Sequence, residues 1–470
     1  MYVLLRRLGE HRGAPRLYLD TVALASAGLA PGTRFELSSC DAGEPRIAIK
    51  PAAGGRRKVS RKQRGQQQVP VIDINSLQEL QPFVSAGVVR IVIDASGVHV
   101  LLPASVRKSL ARSARLAARL AMNQPLRTAG IAFGAGIASL SLHEGLALAG
   151  VPCTLTLANE IGEEYLDLAS ANHPSVGAGT IIAAAPMQEA VDDDWLMQRV
   201  GTVEVLEAGI PCSGASKAGR AKRGLARMED HPWVGHLIGA CIVAITRLQP
   251  AVVLIENVES YSYTASASIL RGWLGDAGYA IHEVVLDARD FGSLEARVRW
   301  FLVAAPADLD LDLQELSKAP CAGQLADVLE PIGPDDERFR TVEYLKAKAL
   351  RDDEDGNGFA MQWLTPACTR VPTLRKGYHK GGSTDPRLLH PDDPARSRLL
   401  TGTEHARIKG VCPSLLEGAS ETVKHQVCGQ AVDVRPVRAI GQALGLAMRR
   451  LLAAHGPAAP QPVRAVEIIG

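Results

Sequence analysis

Gly209-Ile210-Pro211-Cys212-Ser213-Gly214-Ala215-Ser216 is the stretch on which the fold turns. It follows Thr202-Val203-Glu204-Val205-Leu206, a β-rich run that reads as a buried strand. A cysteine behind a proline, on a glycine-flanked loop at a strand's end, is placed for chemistry. Ligands and reacting groups of open α/β sheets gather outside the carboxyl ends of the strands. A buried thiol packing as a small hydrophobe gives the same letters, so the decision falls to the surrounding sequence.

Upstream, Ile131-Ala132-Phe133-Gly134-Ala135-Gly136-Ile137 lies between a strand-like run and a helical one, Ala138 to Leu148. Strand, glycine turn and helix make a nucleotide-type loop, in which glycine lets the backbone approach a ligand. The next strand, Cys153 to Ala158, ends in Asn159-Glu160-Ile161. An acid at the tip of a second strand can accept both hydroxyls of a ribose. At this point NAD and S-adenosylmethionine are both open. Downstream, Gln249 to Ile255 is another buried strand and ends in Glu256-Asn257-Val258. Further on come Asp287-Ala288-Arg289-Asp290-Phe291-Gly292, Glu295-Ala296-Arg297-Val298-Arg299 and an apolar strand, Trp300 to Ala304.

Taken in this order, the motifs resemble those of the DNA cytosine-C5 methyltransferases. Pro211-Cys212 is similar to the family's nucleophile loop, Glu256-Asn257-Val258 to its ENV motif and Glu295-x-Arg297-x-Arg299 to its QxRxR. Ala158-Asn159-Glu160-Ile161 through Asn172-His173-Pro174 resembles the second-strand cofactor segment. Arg398-Leu399-Leu400-Thr401 with Glu404-x-x-Arg407-Ile408-x-Gly410 resembles a late RxLTxxExxRIxG element. Gly429-Gln430-Ala431-Val432 with Ile440-Gly441 is similar to the final GNxV…IG helix. The resemblance covers roughly 128–305 and 397–446 and sets NAD aside.

It implies an α/β fold of the Rossmann-like S-adenosylmethionine-dependent methyltransferase type, with a mostly parallel sheet, helices on both faces and a small target recognition domain. It also implies roles. Cys212 would add to C6 of cytosine, because C5 is a poor nucleophile until a thiolate turns the ring into an enamine. Glu256, its pKa raised by burial, would engage N3 and the exocyclic amine. Arg299 would stand near O2, with Arg297 orienting the loop or binding phosphate. The base that removes the C5 proton is not named. Phe133, Gly134, Ala135, Gly136, Glu160, Ile161, Pro211, Gln430 and Val432 would line the S-adenosylmethionine site. Double-stranded DNA would be met by Ser213 and by a basic, glycine-rich run carrying Arg370, Thr373, Arg375, Lys376, Tyr378 and Lys380. The target base would leave the stack to reach such a pocket.

The chain departs from the pattern in several places. Gly130 stands where the first motif has an acid, and the helix behind that motif reads a turn longer. Ser213 replaces the Gln beside the nucleophile, Glu295 the first Gln of QxRxR, and Gln430 the Asn of GNxV. Asp192 to Asp194 are the candidates for a third-motif acid on the adenine amine. Transfer of a group from a modified donor, and a DNA-binding pseudoenzyme, are the alternatives. Cys212, Glu256 and both arginines argue against the second.

Composition agrees with an enzyme body carrying a basic extension. The 470 residues are 46% hydrophobic and 22% charged, globular and sufficient for two or three domains. The eight cysteines form no CxxC pair, so neither disulfide framework nor metal site is expected, and a reducing cytoplasmic, nucleoid-associated setting fits. Arg6 and Arg7 are not followed by an apolar h-region, and no long uncharged apolar run suggests a membrane span. Residues 1–127 hold 20 Lys and Arg against 8 Asp and Glu, a net +12, and the remainder 32 against 42, a net −10. Such asymmetry suggests a basic module meeting a polyanion.

The expected domains are 1–127, 128–305, 306–396 (target recognition), 397–454 (the end of the catalytic part) and a tail, 455–470. Within the first, 16–50 reads as strand, short helix, turn and hairpin, a pattern that resembles the small swapped-hairpin DNA-binding domains of the AbrB type, beside the plain reading of a small β module. Residues 52–68 read as a flexible basic linker, Val88 to Leu102 as a second hairpin, and Val106 to Met122 as an amphipathic helix. Arg107, Lys108, Arg112, Arg115 and Arg119 lie on that helix's polar side. Its arginines can contact phosphate, or its leucines can pack on the catalytic body. Oligomeric state is not readable.

Overall fold

The computed structural model describes residues 1–40, 44–215, 223–319, 323–356 and 361–455. Ser216, Cys321 and the tail beyond 455 lie outside the described residues. Among the described residues the larger body is built on seven strands, β1 (Leu126–Ile131), β2 (Cys153–Glu160), β3 (Ile181–Ala184), β4 (Val205–Ala208), β5 (Val252–Asn257), β6 (Ala280–Asp287) and β7 (Val298–Ala305). They lie in the order β3-β2-β1-β4-β5-β7-β6, and only β7 runs against its neighbours. The chain therefore reverses its direction of travel across the sheet between β1 and β4. A cleft opens at such a switch point, outside the carboxyl ends of the strands. The glycine loop and the Cys212 loop follow these two strands.

Strands of this kind are apolar on both faces because helices cover both. On one face β1, β4, β5 and β7 pack against α1 (Ile137–Leu148), α5 (Glu421–Gln430) and α6 (Val434–His455). On the other they pack against α3 (Leu237–Leu248) and α4 (Ala265–Asp276), while α2 (Glu163–Asn172) closes a smaller cluster with Phe133 and Leu155. α1 and α6 touch backbone to backbone: a Cβ on Gly145 would lie 2.2 Å from the Arg438 carbonyl oxygen, and one on Gly441 2.7 Å from that of Leu142. The Ile440-Gly441 pair thus locks the final helix under the glycine loop.

The helix Ala104–Ala121 joins the N-terminal part to this body through its leucines, with Leu116 and Leu120 buried in the body's core as expected, and also through its arginines. Arg115 and Arg119 both pair with Glu204, which is fully buried and also accepts the Arg127 N–H. Arg112 is buried too; it donates to the Ala277 carbonyl and lies over the Tyr279 ring at 4.1 Å. These arginines are thus spent on docking, which corrects the phosphate reading of this face. The count of +12 overstates the positive charge the module can offer a partner.

The strand–helix–hairpin order expected over 16–50 is present, and it occurs twice. Ala14–Asp20, a turn of helix at Val22–Ala27, and the hairpin Arg34–Cys40/Arg46–Pro51 are followed by Gln67–Asn75, the helix Leu77–Val84 and the hairpin Val88–Asp94/Gly97–Leu101. Thr21 and Ser76 cap the two helices through their side-chain oxygens. The pairing is symmetric. Leu17 faces Ile74 and Leu19 faces Ile72 about the Tyr18–Asp73 pair; Ile47 faces Val100 and Ile49 faces Val98 about Ala48–His99. All eight apolar residues share one core. Two copies of one unit are related by a local two-fold within a single chain.

The basic run is not a linker. Ser60–Arg64 is a strand paired with Gln67–Asn75, turning at Gly65-Gln66 with Gly65 at φ +58°. Every residue of Ser60–Arg64 is exposed, so its charges need no burial to make it a strand. Lys62 and Arg64 share Asp20. The acidic run after residue 306 also behaves differently from its composition. Leu309, Leu311, Leu313 and Leu316 alternate with acids and sink into the catalytic core, so the small domain starts later than 306. That domain carries four short strands, Arg340–Thr341, Trp363–Leu364, Arg387–Leu389 and Arg396–Arg398, around Leu325, Leu364, Val371, Leu374, Tyr378 and Leu388.

Candidate active site

The site gathers at the tips of β2, β1, β4 and β5. After β1 the backbone enters the left-handed region at Ala132, Gly134 and Gly136, with φ of +53°, +58° and +79°. Gly136 has no room for a side chain: a Cβ would lie 2.5 Å from both the His173 and the Phe133 rings. Phe133 and Ala135 are buried. Glu160, at the tip of β2, accepts the N–H groups of Gly134, Ile161 and Gly162 at 2.8, 3.0 and 3.1 Å. Ile161 is exposed beside it, 70% accessible, an apolar surface at the rim. Gln430 reaches the same loop: a Cβ on Gly134 would lie 3.5 Å from its Nε2. Val432 is buried in the core behind.

The Cys212 loop is held from β5. Asn257 Nδ2 donates to the Ile210 carbonyl at 2.9 Å, and Ser260 Oγ donates to that of Ala215 at 2.8 Å. Gly214 is needed because the segment Met228–His231 lies over it, 2.8 Å from where a Cβ would stand. Pro211 and Cys212 are half-buried and Ser213 is exposed. Burial pushes the Cys212 thiol above its ordinary pKa; Arg299 pulls it down, Glu256 opposes and Arg297 assists. Glu256 at the tip of β5 pairs with Arg299 Nε at 2.9 Å. Glu256 is half-buried, where the sequence expectation had it buried. Burial, then the charge of Arg297, push Arg299 down to about 10.

Arg297 is buried and donates to the Gly429 carbonyl at 3.4 Å, a geometry that fits orientation of the site rather than contact with phosphate. Glu295 is answered by a residue the sequence reading passed over. Lys409, the variable position of Arg407-Ile408-x-Gly410, places Nζ 2.7 Å from Glu295 Oε2, and both side chains are fully buried. Arg297 Nη1 is 3.7 Å from Oε1. Burial would raise the Glu295 carboxyl, but Lys409 and Arg297 together hold it below the usual carboxylate range. Oε1 also accepts the Leu374 N–H at 2.8 Å, which ties the basic, glycine-rich segment to the run that leads into β7.

Of the expected DNA contacts, Arg370, Thr373, Arg375, Lys376 and Lys380 are exposed. Arg375 pairs with Asp385, Thr373 donates to the Ala296 carbonyl, and Lys376 lies over the Tyr165 ring. Tyr378 is a correction. It is fully buried, its hydroxyl donates to the Pro386 carbonyl and accepts the Leu400 N–H, and it belongs to the core of the small domain. Gly429 allows this segment to close down: a Cβ there would lie 2.3 Å from the Lys376 nitrogen. Asp192 to Asp194 are also displaced. Asp193 caps the helix Asp194–Val200, and Asp194 pairs with Arg247 at the end of α3, on the amino side of the sheet. β3 itself ends in Ala183-Ala184-Ala185-Pro186, without an acid. Among the described residues no cluster of His, Cys, Asp and Glu suits a metal, and no helix is long and apolar enough to cross a membrane.

A family profile described as C-5 cytosine-specific DNA methylase matches residues 130–446. The chain belongs to this family. Among the methylases it resembles are the type II methyltransferase M.NlaX of Neisseria lactamica, 26% identical over 67% of this chain and 95% of that protein, and M.MspI of a Moraxella species, 27% identical over 52% and 57%. Solved structures agree on the fold. The Dnmt2 methyltransferase of S. pombe gives a TM-score of 0.50 at 17% identity over 70% of this chain and 99% of that one. EhMeth of Entamoeba histolytica gives 0.53 at 14% over 68% and 98%. The methylase body accounts for the profile match; the repeated N-terminal module precedes it.

Proposed function

We propose that this methylase transfers a methyl group from S-adenosylmethionine to C5 of a cytosine turned out of duplex DNA, through a covalent bond between Cys212 and C6. The observation that carries the reading is the meeting of the Glu256–Arg299 pair and the Cys212 loop at the switch point of the sheet. Glycine positions with no room for a side chain, and a carboxylate at the neighbouring strand tip, suit a nucleoside-bearing donor. Glu160 would take the ribose hydroxyls in place of the three N–H groups it now accepts, and Ile161 would cover the adenine. When bound, the donor supplies an electrophilic methyl group.

The thiolate is the nucleophile. As the Sγ–C6 bond forms, the C5–C6 π pair moves into the ring toward N3, where Glu256 delivers a proton. Arg299 offsets charge at O2 and favours the thiolate. C5 would then attack the donor's methyl carbon, whose bond to sulfur breaks and leaves its pair on the sulfur of S-adenosylhomocysteine. Loss of the C5 proton to solvent re-forms the C5–C6 double bond, the Sγ–C6 pair leaves as the Cys212 thiolate, and the N3 proton returns to Glu256. Asn257 and Ser260 hold the loop through these steps.

Duplex DNA carrying 5-fluorocytosine at the target blocks the last step, because fluorine cannot leave as a proton. With S-adenosylmethionine it should trap an adduct that survives denaturing electrophoresis. Cys212→Ala should form none while binding the same DNA, and an adduct in that variant would reassign the nucleophile. A modified donor is the second reading, favoured by the Gln430 amide lying against the glycine loop. Efficient 5-methylcytosine formation from plain S-adenosylmethionine, unchanged by Gln430→Asn, would eliminate it.

A further inference from the structure

The floor of the cleft holds an acid that none of these steps uses. Glu207 stands on β4 in register with Gly130 of β1, so the two residues share a face of the sheet. It is buried, 7% exposed, and its Oε2 has no hydrogen-bond partner among the described residues. Glu204, on the same strand run and equally hidden, is satisfied by two arginines and a backbone N–H. An unpaired acid is therefore not the rule in this sheet, and buried polar groups normally find partners.

Gly130 explains where the free oxygen points. A Cβ at 130 would lie 3.3 Å from Glu207 Oε2 and 2.4 Å from the Phe133 ring. The position where the resemblance calls for an acid is empty of a side chain, and the carboxylate of the neighbouring strand fills that space from beside it. Oε2 thus lies at the tips of β1 and β4, between the glycine loop and the Cys212 loop. A donor with its ribose on Glu160 and its methyl group directed at a base on Cys212 must cross these adjacent tips.

We propose that Glu207 anchors the ammonium group of the methyl donor's methionine part. The unmet need at Oε2, once the carboxyl is ionised, is a hydrogen-bond donor that carries positive charge. The ammonium provides both, whereas the sulfonium carries no hydrogen to donate. The proposal rests on the S-adenosylmethionine reading of the cleft. Protonation of the empty site follows from the same surroundings. Burial, then the charge of Glu256 from β5, push the Glu207 carboxyl up to about 8, while Gly130 and Phe133 face it from β1 and its loop without charge. At pH 7 the free protein holds a proton there, and an arriving ammonium displaces it.

Calorimetric titration of the full chain with S-adenosylhomocysteine tests this at pH 7, in two buffers of different ionisation heat. Wild type should release close to one proton on binding. Glu207→Gln should release none and bind about tenfold or more weakly, as expected for a lost charge-assisted hydrogen bond. A desamino analogue of S-adenosylhomocysteine should bind wild type without proton release, which decides the matter even if Glu207→Gln fails to fold. Equal affinity of the variant and wild type, or equal proton release with the desamino analogue, overturns the anchor and leaves the cleft reading standing. No binding of S-adenosylhomocysteine to wild type overturns both.

Discussion

Replacing Lys409 with methionine removes one charge from a buried cluster of three. The Lys409 Nζ to Glu295 Oε2 distance is 2.7 Å and Arg297 stands 3.7 Å from the other oxygen, with none of the three side chains more than 3% exposed. Removing one partner of a buried pair costs about 3–5 kcal/mol, because the remaining charge stays desolvated. Arg297 and the Leu374 N–H still attend Glu295, so the lower end, about 3 kcal/mol, is expected. The double variant Glu295→Gln/Lys409→Met removes the unpaired charge along with its partner and should recover roughly 2 kcal/mol of that loss.

The pH dependence has a defined sign. In wild type the Glu295 carboxyl is held below its ordinary value, so its contribution persists at neutral pH and fades only as pH falls through that lowered pKa. Without Lys409 burial should raise the same carboxyl, and the variant's deficit should be smaller at pH 5 than at pH 6.5, where Lys409 is still charged in wild type. Urea unfolding followed by tryptophan fluorescence, with DNA affinity measured alongside, reads both effects; affinity should fall because Glu295 tethers Leu374. A Lys409→Met deficit under about 1 kcal/mol at pH 6.5, or strict additivity in the double variant, would refute the reasoning.

Two further predictions test the scaffold of the site. Asn257→Ala should lower single-turnover methylation tenfold or more, from the loss of about 1–3 kcal/mol of anchoring at a buried carbonyl, with DNA affinity nearly unchanged; an unaltered rate would mean the loop holds itself. Deleting residues 1–102 spares the helix whose arginines cover Glu204, and should weaken DNA binding while reducing its salt dependence; the same affinity and slope would free the module from phosphate contact.

The residues whose chemistry demands a strand tip were legible in the sequence. Cys212, Glu256 and Arg299 come together because buried strands can be read from apolar runs and their ends from the polar residues that follow. What escaped depends on partners distant in the chain. Lys409 looks like an ordinary solvated lysine until Glu295, far upstream, is folded against it. Tyr378 sits among basic residues and glycines, so its composition points to a surface, yet its hydroxyl bridges two buried backbone groups. Arg115 and Arg119 lie on the polar side of their helix, but the neighbour across that side is a buried acid rather than water. The N-terminal repeat was missed because its halves share a pattern, not residues: Leu17 and Leu19 correspond to Ile72 and Ile74, and Tyr18 to Asp73. Acid–leucine alternation after residue 306 gave charge more weight than period, although Leu309, Leu311 and Leu313 fall on every second residue and are buried.

The doubling of that module within one chain removes it from the reach of mass action. Two separate copies of such a unit would part on dilution; here the second half is tethered to the first at high effective concentration, so the symmetric core persists at any protein level. The halves are also released from identity. One opens with a short turn of helix behind Thr21 and the other with a full helix behind Ser76. A substitution that suits one side need not be tolerated on the other, and the arrangement can present two unlike edges of a shared sheet to whatever the module meets.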